Sequence, residues 1–214
     1  MKKIINILFA FILVISSGYS QTSQKAKSYL DQVSKTLSSY KNVSIDFTYT
    51  SHNTASQDIS QKGHIDIQKD LYVLDFMGIK KIYDGKKIYT ISTEDEEVTV
   101  SNLNKDKADG ILPSDMLTFF KEGFSYQWDI TATVKGKKIQ YIKLIPTDKN
   151  SGIKDILLGI EDATKNIFSQ VQTGKDGSKM VLSVNSFETN QTLSKNHFTF
   201  TASKYPNYYI NTID

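Results

Sequence analysis

The chain has 214 residues, 39% hydrophobic and 23% charged, enough apolar material for a packed core and unlike a disordered tail. It contains no cysteine, and all 26 of its basic residues are lysine. The first absence excludes disulfides, thiol catalysis, cysteine-bearing zinc sites and lipid attachment through cysteine; the second removes the bidentate guanidinium fork favoured for phosphate and carboxylate. The formal charge of +3 is spread along the chain without a basic block, so there is no electrostatic footprint for nucleic acid.

Met1 to Ser20 opens with Lys2 and Lys3, runs apolar from Ile4 to Ile15 except at Asn6, and closes on Ser16-Ser17-Gly18-Tyr19-Ser20. This is the layout of a secretory signal peptide. Its run of about twelve residues falls short of the roughly 20 a membrane span needs. Gly18 and Ser20 suit cleavage after Ser20, so an exported single domain over residues 21–214 is expected, nearly neutral once Lys2 and Lys3 are gone.

From Ala26 to Tyr40 the apolar positions Ala26, Tyr29, Leu30, Val33, Leu37 and Tyr40 recur at steps of three and four, which predicts an amphipathic helix. The period then becomes two: Val43, Ile45, Phe47 and Tyr49 alternate with polar residues, a half-buried strand. Strand patterns continue through Ile59 to Gln68 and Leu71 to Met77. Hairpins are expected at Asp84-Gly85, Gly136 and Asp176-Gly177, where such residues tolerate the backbone angles of tight turns. Pro113 to Gly123 breaks the alternation and reads as a short helix with a proline start and a glycine end. About two turns cannot stand alone in water, so Met116, Leu117, Phe119 and Phe120 must dock on something. A large antiparallel sheet with one apolar face must curl into a barrel or half-barrel, or be covered by its helices.

Chemistry-bearing patterns are weak. His52, His64 and His197 lack metal-ligand spacing and read as surface or edge histidines. Glu94-Asp95-Glu96-Glu97 lacks the spaced ligands of a calcium loop and reads as a solvated turn. No hydrolase elbow, zinc-protease, phosphate-loop or dinucleotide pattern occurs, so neither an enzyme nor a cofactor is expected. What stands out is 24 aromatic residues, 12 of them tyrosine. Tyrosine suits the mouth of an apolar cavity, although rings that simply fill a core give the same composition.

Several pieces, in order, resemble the periplasmic outer-membrane lipoprotein carrier family, LolA. They are the opening helix running into Tyr40-Lys41-Asn42-Val43-Ser44-Ile45-Asp46-Phe47-Thr48, Gln61-Lys62-Gly63-His64-Ile65 before Leu71-Tyr72-Val73-Leu74, and Tyr83-Asp84-Gly85-Lys86. Pro113-Ser114-Asp115-Met116-Leu117 and the ending His197-Phe198-Thr199-Phe200 with Lys204-Tyr205-Pro206 complete the set.

The resemblance implies an α+β fold, an incomplete antiparallel β-barrel with an N-terminal helix and a short helical lid enclosing an apolar cavity for lipoprotein acyl chains. It implies a monomeric periplasmic chaperone carrying lipoproteins from an inner-membrane lipoprotein-releasing ABC transporter to an outer-membrane acceptor. A lipid or glycolipid carrier, or an envelope-stress sensor domain of the same fold, is the alternative. Tyr72 matches a family aromatic on the cavity rim. The expected acyl site is the concave sheet face with Phe47, Tyr49, Ile65, Ile67, Tyr72, Leu74, Phe76, Tyr89 and Ile91, closed by a lid of Met116, Leu117, Phe119 and Phe120. Two departures stand out. Lys69 occupies the place of the arginine that latches the lid in well-known members, and Gly159 precedes Ile160 where the family often has tryptophan before aspartate.

Overall fold

The alternating stretches assemble into one twelve-stranded sheet. The computed structural model describes residues 22–52, 57–103 and 117–213; the signal segment with its cleavage point at Ser20 and residues 113–116, including Met116, lie outside them. Helix α1, residues 22–39, buries Ala26, Tyr29, Leu30, Val33 and Leu37 on the predicted stripe. Tyr40 sits just past its end and donates its hydroxyl to Asn166 Oδ1 at 2.9 Å.

The strands are β1 (Val43–His52), β2 (Ile59–Gln68), β3 (Leu71–Phe76), β4 (Ile79–Tyr83), β5 (Lys87–Ser92), β6 (Glu97–Asn102), β7 (Phe124–Val134), β8 (Lys137–Pro146), β9 (Ile153–Glu161), β10 (Ile167–Gly174), β11 (Lys179–Thr189) and β12 (Tyr209–Ile213). Their spatial order is β12-β6-β5-β4-β3-β2-β1-β11-β10-β9-β8-β7. All neighbours are antiparallel except β12, which runs parallel to β6. The sheet is therefore mostly antiparallel, carries one N-terminal helix and does not close into a barrel: β12 and β7 are its two edges.

The three predicted hairpins are present between β4 and β5, β7 and β8, and β10 and β11. The acidic run after β5 forms the turn into β6. The expected helix over 113–123 is corrected in its described part, where Leu117 to Gly123 holds only a three-residue 3₁₀ turn, Phe119–Lys121. Lys121 is followed almost at once by β7, which leaves no length for the cooperative turns a helix needs.

The face of the sheet that carries α1, here the inner face, holds two clusters. The first joins α1 to Ile142, Leu144, Ile156, Leu158, Ile160 and Ile167 of β8–β10, with Phe120. The second joins Val43, Ile45, Phe47, Ile65, Ile67, Tyr72, Tyr83 and Ile88 of β1–β5. A third cluster, Ile82, Ile91, Val98 and Val100, lies on the opposite, outer face under Phe200, Tyr205 and Tyr208 from the C-terminal segment.

Candidate functional site

The inner face of β1–β5 is built by period-two alternation. Val43, Ile45, Phe47 and Tyr49 of β1 point the same way, facing Ile67, Ile65, Gly63 and Gln61 of β2 across the register. Gly63 is required here because the Phe47 ring lies directly over it, where any Cβ would collide. The space opened by that glycine lets Phe47 and Phe76 approach with ring centroids 5.5 Å apart, and Tyr49 meets Phe76 edge-on at 5.7 Å. Tyr72 is buried, 4% exposed, with its ring 5.9 Å from that of Tyr83.

Of the nine residues expected on this face, Phe47, Tyr49, Ile65, Ile67, Tyr72, Leu74 and Phe76 are brought together. Tyr89 and Ile91 are not; both lie in the outer-face cluster, and Ile88 takes the inner position. Hydrophobicity could not decide this parity, because Ile82-Tyr83 and Ile88-Tyr89 are apolar on both faces. The two-residue turn Met77-Gly78 decides it. Both residues have positive φ, 54° and 75°, the geometry of a tight hairpin, which sets Phe76 opposite Ile79 and hence Tyr72 opposite Tyr83. Tyr83 then faces Ile88, and Ile82 faces Tyr89. Tyr89 instead stacks on Phe200 at 4.6 Å, and Phe200 on Tyr205 at 5.5 Å.

The inner face also recruits Leu182, Val184 and Phe187 of β11, which no local sequence pattern singles out. Their long separation from β1 hides them, since only the pairing of Tyr49 with Leu182 and Phe47 with Val184 brings them alongside. Tyr49, Leu74, Phe76, Leu182 and Val184 are all only partly buried.

The expected lid residues divide. Phe119 and Phe120 belong to the α1-covered cluster, Phe120 being 1% exposed. Tyr126 fixes that turn by donating its hydroxyl toward the carbonyls of Phe120 and Lys121, 2.8 and 3.0 Å away. Leu117 packs against both inner clusters, and Leu103 against the β1–β5 cluster.

Lys69, in the β2–β3 turn with φ 55°, lines a cleft of about 320 Å³ together with Leu37, Tyr40, Lys41, Val43, Ile67, Asp70, Leu117, Thr118 and Lys121. It therefore lines the same cleft as Leu117, which belongs to the expected lid. Gly159 fits its place by necessity, because a Cβ there would lie 2.6 Å from Ser169 Oγ and 2.9 Å from the Tyr141 ring.

Two polar clusters brace the sheet. Asp162, at the β9–β10 turn, binds Lys138 and Lys165 Nζ, each at 2.9 Å, and the Tyr29 hydroxyl at 3.0 Å. Bonds from Lys138, Lys165 and Tyr29 hold its carboxyl well below the usual carboxylate range. Burial, reinforced by Asp162, pushes the Tyr29 phenol up. This cluster ties α1 to the β8–β9 end.

On the outer face His64 binds Asp46 at 2.7 Å and Asp66 at 3.2 Å, and His197 binds Asp66 at 2.8 Å. Burial opposes the charged His64 ring, but bonds to Asp46 and Asp66 outweigh it and raise its pKa. Burial likewise opposes the charged Asp66 carboxylate, yet bonds from Ser44, His197 and His64 lower its pKa. His64 and His197 are therefore structural ties between β1, β2 and the C-terminal segment, more than the surface residues their spacing suggested. Among the described residues no group of three or more histidine or acidic side chains is arranged to hold a metal.

A family model described as outer membrane lipoprotein carrier protein LolA matches residues 38–201. Among solved structures, an uncharacterized conserved protein from Thermus thermophilus superposes with a TM-score of 0.61 at 10% identity, over 88% of this chain and 99% of its own. LprF from Mycobacterium bovis superposes with a TM-score of 0.52 at 15% identity, over 81% of this chain and 96% of its own. At such identities the structural likeness concerns the fold. No curated protein sequence matches the chain.

Proposed function

Because this chain belongs to the outer membrane lipoprotein carrier protein LolA family, we propose that it is a periplasmic chaperone that shields lipoprotein acyl chains and shuttles lipoproteins from the inner to the outer membrane. The observation that carries this reading is the margin of the β1–β5 cluster, where Tyr49, Leu74, Phe76, Leu182 and Val184 stay half-buried beside Ile142, Leu144, Leu158 and Ile160, which are fully buried.

Each buried methylene is worth about 0.8 kcal/mol. Two or three acyl chains of roughly 16 carbons each would thus cost tens of kcal/mol to expose to water by the same coefficient. A carrier must supply apolar surface of comparable quality and still let go. The partly buried rings and aliphatic groups of β1–β3 and β11 provide that surface. The lid expected from the sequence supplies the cover: Leu117 packs against both inner clusters, and Phe119 and Phe120 are its fixed root in the α1-covered cluster. Acyl chains and this lid compete for one face, so loading displaces the lid and net affinity is the difference between the two. Lys69, lining the same cleft as Leu117, holds the lid end as a point charge in place of an arginine fork. The inner-membrane lipoprotein-releasing transporter and the outer-membrane acceptor are the partners of this cycle.

The test is native mass spectrometry of the protein purified from its own envelope, beside Leu182→Glu, whose half-buried site accepts a charge at less cost than the buried Tyr72. Co-purified acylated protein with the native chain, and none with the variant, is expected. A free lipid in its place points to a lipid carrier, and an empty native chain overturns the proposal.

A further inference from the structure

We propose that β12 is a docking edge for an extended segment of a partner protein, one that is apolar at alternate positions and basic at the end that meets the Glu94-Asp95-Glu96-Glu97 turn. This edge is separate from the acyl face, because β4, β5 and β6 lie between β12 and β3 in the sheet.

The two edges of the sheet are built differently. A free strand edge invites pairing with another chain, and proteins blunt such edges with bulges, charges or proline. β7 is blunted: its register with β8 shifts between Trp128 and Thr131, and Asp129 sits in that bulge. β12 is not. Tyr209-Ile210-Asn211-Thr212-Ile213 contains no charged residue and no proline, and it pairs with β6 without a register shift. Tyr209, Ile210 and Ile213 are 68%, 44% and 49% exposed, so exposed apolar surface is concentrated on the edge that has no protection.

The free backbone groups can be named. Tyr209 donates its N–H to the Glu96 carbonyl at 2.9 Å. In the parallel ladder Tyr209, Asn211 and Ile213 therefore face β6, and the N–H and C=O groups of Ile210 and Thr212 point away from it. Side chains alternate between the faces of the sheet. Ile210, opposite Val98, flanks the outer cluster, while Tyr209 and Ile213, opposite Glu97 and Ser101, lie on the inner side. A partner strand that is apolar at alternate positions extends the ladder and covers Tyr209 and Ile213.

The charge beside β12 selects the partner. Glu94, Asp95 and Glu96 are exposed and Glu97 is half-buried, and the bond from Tyr209 to Glu96 places this turn at the start of β12. A strand laid along β12 therefore has one end against the acidic turn, where lysine or arginine is attracted and an acid repelled. A second copy of this chain fits less well. Two-fold antiparallel pairing of β12 with itself sets the acidic turn of each copy beside Ile213 of the other, which offers no charge to meet it.

The experiment titrates the full chain with short acetylated, amidated peptides of alternating threonine and valine that carry a pair of lysines at the N-terminal or the C-terminal end, and with the same peptides carrying glutamates instead. One lysine peptide, whose polarity sets the direction of the added strand, is expected to bind about tenfold more tightly than its glutamate counterpart at low salt, a margin that shrinks as salt screens exposed charges. Thr212→Pro removes one outward N–H and leaves the bonds to β6 in place, and it should weaken the lysine peptide by about tenfold or more, since pairing along the edge supplies most of the affinity. In amide exchange the Ile210 and Thr212 N–H groups of the native chain should be unprotected alone and protected once the lysine peptide is added, a readout that stands even if Thr212→Pro does not fold. Absence of binding, equal binding of lysine and glutamate peptides, or unchanged binding in folded Thr212→Pro overturns the proposal. So does protection of those two amides in the monomeric chain alone, which means the chain covers its own edge. A dimer of the native chain that Thr212→Pro abolishes also overturns it, in favour of a second copy.

Discussion

The two halves of the inner face are made of the same residue types and end in different states. Under α1, Ile142, Leu144, Leu158 and Ile160 are fully buried, beneath a helix tied down within its length where Tyr29 meets Asp162 and just past its end by Tyr40. Over β1–β3 and β11 the aliphatic and aromatic groups are as large, yet Tyr49, Leu74, Phe76, Leu182 and Val184 keep part of their surface in contact with solvent. Apolar content alone therefore does not decide how far a residue is buried; what decides it is what packs over it.

The largest effect that separates the halves is expected at Phe120. Phe120→Ala leaves a cavity in the covered half and should cost about 3–5 kcal/mol, read as a lower midpoint in denaturant unfolding. Gly63→Ala comes next: the added Cβ strikes the Phe47 ring, and such overpacking costs about 1–3 kcal/mol. In the NMR spectrum of that variant the cross-peaks between the Phe47 and Phe76 rings should disappear. Leu182→Ala is expected to cost about 1 kcal/mol, since little of its burial is complete, while weakening acyl-probe binding. Should Leu182→Ala destabilise as strongly as Phe120→Ala, the second half is ordinary core and the contrast collapses.

The smallest effects are in pH dependence, and they act on the two halves in opposite directions. Asp162 has a depressed folded pKa, so its contribution is present above its unfolded value of about 3.9 and is lost as pH falls toward the folded value. Acid should loosen the α1 end, and Asp162→Asn should flatten that part of the stability profile. His64 has a raised folded pKa. Its contribution is full below about 6.5 and is lost as pH rises through the folded value. Rising pH should therefore weaken the tie behind β1–β2, and His64→Gln should remove that slope. Both groups are partly exposed, so each effect is small.

Much of this fold is legible in local pattern. The stripe from Ala26 to Leu37 marks α1, the alternation from Val43 to Tyr49 marks β1, and Asp84-Gly85 and Asp176-Gly177 mark hairpins, because period and turn chemistry are short-range properties. The seven inner-face residues on β1–β3 follow from the same alternation. Tyr89 and Ile91 fail where both faces of a strand are apolar, and the β11 contribution is invisible because Leu182 reaches Tyr49 from more than 130 residues away along the chain. The parallel pairing of β12 with β6 is equally non-local.

By itself, then, the sequence determines that this chain forms an N-terminal helix and many antiparallel strands, with no cysteine and no arginine to hold them together. Tertiary structure alone decides which aromatic rings become core and which keep part of their surface in contact with solvent. The reason is physical: a side chain's apolar character is its own, but its burial belongs to whatever packs over it, and here that is a helix on one half and, under the proposed function, a displaceable segment on the other.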